Sequence, residues 1–250
     1  MVKTFHIAAQ YLATVAISFL DAKDDDSHTN LGWKNGSQQT HPLSEDNCIF
    51  SLDYESFTLI WTNDKGFKGS LPLEGRKHSE IVHWIRNASL KAKHRKVYEY
   101  RLHYDLPYEK ITSDFVFVKP SEKVTQKLIQ QRNLVQRALE ETLKNQEQET
   151  PIRIWPHHFD TGAFFMANDE IGIGLGMAIP DSMIDDFYFY VSGYKGHNAI
   201  ELSETIHVEK GEYYNDGWKG IALPVSGVSI EEAVRFYNEG IKHYIKNSQV

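Results

Sequence analysis

The sequence predicts an α+β protein built twice from one plan, an antiparallel β-meander followed by a helix, with a long helix connecting the halves. Strand-like alternation dominates residues 48–73 and 152–194, whereas helical spacing dominates 121–149 and 229–245. The two halves also share a local pattern. Phe67-Lys68-Gly69, Leu71-Pro72-Leu73 and Gly75 are answered by Trp218-Lys219-Gly220, Leu223-Pro224-Val225 and Gly227. A constant shift of 152, the distance from Leu71 to Leu223, also pairs Glu80 with Glu232, Val82 with Val234 and Trp84 with Phe236. Neither half alone covers its apolar sheet face, so the expectation is one duplicated domain over 1–250, its halves packed about a pseudo-twofold axis. The first repeat is read at about 28–92, the connecting segment and long helix at about 93–150, and the second repeat at about 151–247.

The elements follow in order. Ile7, Ala8, Tyr11, Leu12, Val15, Ala16, Phe19 and Leu20 fall at the i, i+3, i+4 spacing of a helix with one buried face. Gln10 interrupts the run, which also lacks the clean apolar core of a secretory signal. Asp24-Asp25-Asp26 is read as a solvated loop. Cys48 to Tyr54 and Phe57 to Trp61 alternate as strands, Asn63-Asp64-Lys65-Gly66 turns, and Phe67 to Leu73 forms the next strand. A helix from Ser79 to about Lys91 carries Ile81, Val82, Ile85 and Ala88 on one side. Tyr98, Tyr100, Leu102, Tyr104 and Leu106 alternate like a strand. The long helix lies between Pro120 and Pro151 and suits either clamping a sheet or meeting a partner helix, which leaves a homodimer open. Further strands are read at Ile152–Phe165, Ile171–Ile179 and Phe187–Tyr194, then a charged segment at 196–217. The last helix opens on the capping box Ser229-Ile230-Glu231-Glu232 and buries Ile230, Ala233, Val234, Tyr237, Ile241, Tyr244 and Ile245.

Composition narrows the functions. With 27 basic against 34 acidic residues the net charge is −7, and no basic run offers a phosphate footprint, so nucleic acid is not expected as a partner. No stretch approaches the roughly 20 apolar residues that span a bilayer, so no membrane partner is expected either. The single cysteine, Cys48, cannot form an internal disulfide and fits a cytoplasmic chain. In its alternating strand it is read as a buried, inert thiol.

The segment Trp155-Pro156-His157-His158-Phe159-Asp160 is the best candidate for chemistry. On a strand, His158 and Asp160 face one way and His157 the other. With a distant histidine such as His28, these are ligand types for zinc or non-haem iron, and His158 with Asp160 is the candidate metal pair. Against this, His-x-acid recurs at His78, His103, His158 and His207, where chance gives about 1.6 occurrences, so the pattern alone is weak. Gly172-Ile173-Gly174-Leu175-Gly176 is followed by Pro180 rather than a helix, so these glycines are read as strand positions approached by another backbone or a large aromatic. Tyr188, Tyr190, Tyr194, Tyr213 and Tyr214 are candidates to line a pocket for a flat or sugar-like ligand.

Ala8-Ala9-Gln10-Tyr11-Leu12-Ala13-Thr14, Ser27-His28, Phe50-Ser51-Leu52-Asp53-Tyr54, Leu71-Pro72-Leu73, Asp105-Leu106-Pro107-Tyr108-Glu109 and Trp155 to Asp160 together resemble the bacterial domain-of-unknown-function family 5996. The resemblance spans most of the chain and implies no reaction. Two functions are therefore expected. One is a non-enzymatic module that binds a small molecule or peptide in a cleft between the repeats, with His28, Trp155, His157, His158, Asp160, Tyr188 and Tyr190 as contacts. The other is a metal-dependent enzyme working through His157, His158 and Asp160.

Overall fold

The structure, a computed structural model, describes residues 2–92, 94, 96–202 and 208–247. His207, one of the His-x-acid positions, lies outside the described residues. The protein is α+β, with two antiparallel sheets, and its backbone contacts divide it into two compact units. The first takes 1–131 and 154–159, the second 132–153 and 160–250. Among the described residues no helix is long and apolar enough to cross a membrane.

The first unit opens with helix α1 (Lys3–Phe19), followed by strands β1 (Gly32–Lys34), β2 (Ser37–Gln39), β3 (Ile49–Asp53), β4 (Thr58–Thr62) and β5 (Lys68–Pro72) and helix α2 (His78–Lys91). The five strands form a meander in chain order. Asn63 N donates to Phe67 O and Gly66 takes φ +85°, the left-handed turn expected between β4 and β5. The short β1 and β2 lack the alternation that marks a strand in the sequence.

One expectation for α1 needs correction. The spacing predicts a single buried face, yet all twelve residues from Phe5 to Ala16 are buried. Its apolar stripe packs on the sheet, where Phe5 stacks on Tyr54 at 4.3 Å. The opposite stripe is His6, Gln10 and Thr14, four residues apart and therefore on one face. Its polar groups are satisfied there by tyrosine hydroxyls, by the Pro156 carbonyl and by carbonyls of the helix itself.

The strand expected around Tyr98–Leu106 does not form; apart from an isolated bridge of Lys77 with Val116, residues 96–121 have neither helix nor strand pairing. The alternating tyrosines bind through their phenols rather than through a backbone ladder. Tyr98 Oη lies 2.9 Å from Thr14 Oγ1, and the Tyr104 hydroxyl donates to Gln10 Oε1 at 2.7 Å.

Helix α3 (Glu122–Asn145) begins in the first unit and ends in the second. After it come β6 (Arg153–Ile154), β7 (Thr161–Met166), β8 (Ile171–Ala178), β9 (Tyr188–Lys195), β10 (Asn198–Ala199), β11 (Glu212–Tyr214), β12 (Gly220–Pro224) and helix α4 (Ile230–Asn247). The sheet order is β11-β12-β9-β8-β7-β6, with β10 on β9. One face of β9 meets α4, with Phe189 against Tyr237 at 5.6 Å. The α3 residues Val135, Ala138, Leu139 and Leu143 are buried. The expected capping box of α4 forms: Ser229 N donates to Glu232 Oε2 at 2.8 Å, and Glu232 N donates to Ser229 Oγ at 3.2 Å.

The glycines of β8 behave as expected of strand positions under aromatic rings. Gly176 lies opposite Gly162 and Tyr190, where a side chain would meet the Tyr190 hydroxyl at 2.7 Å and the Thr161 carbonyl. At Gly172 it would meet the Phe164 ring.

The recurrence seen in the sequence reaches individual hydrogen bonds at one junction. Leu73 N donates to Phe57 O at 3.0 Å, as Val225 N does to Phe187 O at 2.8 Å. Gly75 and Gly227 follow with φ +72° and +80°. Lys77 N and Ser229 N then each donate to a glutamate, Glu80 and Glu232, at 2.8 Å. This likeness covers strand, turn and helix start; the rest of each sheet has its own strand order.

Candidate functional site

The segment 155–160 is a turn, not part of a continuous strand over 152–165. Trp155 O accepts from Phe159 N at 2.6 Å, and Phe159 takes φ +64°. Pro156 has no N–H to offer a ladder and Phe159 leaves the extended region, so the alternation that placed His158 and Asp160 on one face does not apply. Pro156 O instead becomes an acceptor for α1. His6 Nε2 donates to it at 2.8 Å and Gln10 Nε2 donates at 2.8 Å. Since a carbonyl only accepts, His6 carries a proton on Nε2, and Nδ1 faces the Tyr108 hydroxyl at 3.2 Å. The Phe159 ring stacks on His6 at 4.7 Å.

The other expected residues divide between the units. His157 packs on the His158 ring at 4.2 Å and on Tyr104 at 5.6 Å, while Trp155 meets His157 edge-on at 6.0 Å. His158 is exposed. His28 is buried, with its Nδ1 accepting from Lys23 N at 3.3 Å. In the second unit the Tyr190 hydroxyl donates to Asp160 Oδ2 at 2.6 Å, and Tyr188 donates to Asp181 Oδ2 at 2.6 Å. Burial first, and then the Asp160 charge, push the Tyr190 phenol well above its ordinary range. Tyr194 Oη accepts from Ser192 Oγ at 3.1 Å, and Tyr214 packs on Trp218 at 6.4 Å. Among the described residues no three histidine, cysteine or acidic side chains gather as a metal site would require. Cys48 is buried and accepts the Trp61 indole N–H at 2.7 Å; burial raises its thiol pKa, away from the thiolate that a nucleophile needs.

The sequence did not point to a cavity that lies within the first unit. It measures about 510 Å³ and lies between Ile7 of α1, His78 at the start of α2, and residues 100–111. That volume suits a small organic ligand. Tyr100, Tyr104 and Tyr108 supply aromatic wall, Leu102 and Leu106 apolar wall. Arg101 and Lys110 stand against Asp105 and Glu109 in the lining, and Lys110 pairs with Asp105 at 3.3 Å. Beneath them the Tyr11 hydroxyl lies 2.7 Å from His78 Nδ1. Burial lowers the His78 pKa and raises those of Tyr100 and Tyr104 far above the ordinary phenol range, so these rings are neutral at pH 7. The segments around Gln10, Tyr108 and Pro156, separate in the sequence, thus meet in one hydrogen-bonded group beside this cavity. The legible signal was the polar stripe His6, Gln10, Thr14 in an otherwise apolar helix.

No family model, no curated protein and no solved structure matches the chain.

Proposed function

We propose that the chain is a non-enzymatic binding module that takes a small molecule into the cavity of its first unit. The observation that carries this reading is a space of about 510 Å³ walled by neutral aromatic rings and set on a buried helix. Tyr104 is tied to Gln10, Tyr108 to His6 and His78 to Tyr11, so the walls stand in place before a ligand arrives. Preorganisation of this kind reduces the ordering cost of binding. Kinship with family 5996 belongs to the same proposal, because three of the segments that carry the resemblance supply this hydrogen-bonded group. The metal-dependent reading has no comparable support: His158 is exposed, and Asp160 accepts from a tyrosine.

A fragment screen by two-dimensional NMR tests the proposal. Bound fragments should shift amides of residues 78 and 100–111 as a group. Leu106→Trp, which puts a bulkier ring into the space, should change the pattern and strength of those shifts while leaving the melting temperature within a few degrees. Shifts that cluster elsewhere, or that Leu106→Trp leaves unaltered, would refute it.

A further inference from the structure

Resting on the cavity reading above, we infer that the ligand is an uncharged planar molecule whose carbonyl or ring-nitrogen acceptor takes a hydrogen bond from His78 Nε2. Tyr11 is fully buried, and its hydroxyl has His78 Nδ1 as its partner at 2.7 Å. A buried O–H needs an acceptor, and this nitrogen is the one within reach. The hydroxyl therefore donates, Nδ1 holds the lone pair, and the imidazole proton sits on Nε2. Among the described residues Nε2 has no protein partner, and His78 lines the cavity. Tyr100 meets the imidazole edge-on at 4.5 Å and sets its plane.

The charge of the ligand follows from the lining. Arg101 and Lys110 offset Asp105 and Glu109, so there is no net field to attract an ion. Burial of His78 disfavours its imidazolium, so an anion gains no ion pair there. Aromatic walls favour a flat partner that can stack on them or meet them edge-on. A neutral N–H donor among neutral rings selects a neutral acceptor.

The test combines a tautomer measurement with three probes. Long-range ¹⁵N–¹H spectra of the full chain should show His78 with its proton on Nε2. Acetophenone should then shift the Nε2 resonance and bind at least about fivefold tighter than ethylbenzene, which covers the donor without offering it an acceptor. Tyr11→Phe should narrow that ratio by releasing the tautomer. A proton on Nδ1, ethylbenzene binding as tightly as acetophenone, or benzoate binding more tightly than acetophenone overturns the inference. Silence from all three probes with the Nε2 tautomer in place overturns the cavity reading itself, whereas equal binding overturns this inference alone.

Discussion

Replacing Gly176 by alanine adds one methyl group on the central one of three paired strands of the second sheet. Gly176 pairs with Gly162 on β7 and with Tyr190 on β9. The new methyl overlaps the Thr161 carbonyl oxygen and sits 2.7 Å from the Tyr190 hydroxyl. The first obstacle is backbone of a paired strand; the second is a phenol already bonded to Asp160. Neither can step aside without breaking a hydrogen bond. Overpacking costs about 1–3 kcal/mol, and an immovable obstacle puts this site at the upper end. Alanine recovers about 0.5–1 kcal/mol by restricting the unfolded chain, leaving a net loss of about 2 kcal/mol. At about 2–4 °C per kcal/mol for a chain of this size, the melting temperature should fall by roughly 4–8 °C. Gly172→Ala is the control. Its methyl meets the ring of Phe164, which is 51% exposed and can swing into solvent, so its melting temperature should stay within about 2 °C of the parent. Circular dichroism melts of both variants decide the matter, with urea midpoints at unchanged slope as a check. Equal losses at the two glycines would refute the argument that the ring and the backbone set these positions.

Tyr190→Phe removes the donor to Asp160 Oδ2 while Asp160 Oδ1 is buried with no partner, so urea denaturation should show a loss of about 1–3 kcal/mol; a loss below 0.5 kcal/mol would refute the pairing. Burial holds His94 below the ordinary imidazole range and outweighs nearby Asp46, and burial does the same to His78. The unfolded chain therefore takes up more protons than the folded one as pH falls below about 6.5, so these rings cost stability between pH 7 and 5 and nothing above 7. His94→Phe, which preserves the stacks on Phe19 and Trp61, should flatten that slope in pH-dependent melts, and an unchanged slope would contradict the assignment. Cys48 should react with an aromatic disulfide reagent only as fast as the chain unfolds; prompt labelling of the native protein would contradict its burial against Trp61.

Much of the fold was legible because its signals are local. The Ser229–Glu232 box, the Gly66 turn and the stripe of α4 each depend on residues a few positions apart. The strand–Leu-Pro–Gly–helix junction could be read twice because its turn requires a left-handed residue, at Gly75 and again at Gly227. The site was less legible. Trp155–Asp160 looked like alternating strand because periodicity carries no sign of Phe159 entering the left-handed region. The tyrosines at 98, 100 and 104 alternate as a strand would, yet their spacing answers to a helix more than eighty positions earlier, through Thr14 and Gln10.

That long-range dependence also explains how residues 96–121 hold a cavity wall with so little regular structure. A connection of this length inside a compact unit is uncommon and usually functional. Here its order comes from α1. A helix buried all round cannot leave His6, Gln10 and Thr14 unpaired, since each orphaned polar group would cost about 1–3 kcal/mol. Tyr98, Tyr104 and Tyr108 meet that demand together with the Pro156 carbonyl, and the tyrosines thereby fix three points of the connection along one helix face. A leucine at position 10 would suit an apolar core, but it would release Tyr104 and leave the Pro156 carbonyl to His6 alone. The polar stripe of α1 is thus best understood as the scaffold of the cavity, which is why the residue that interrupts its apolar run is the one that holds the site together.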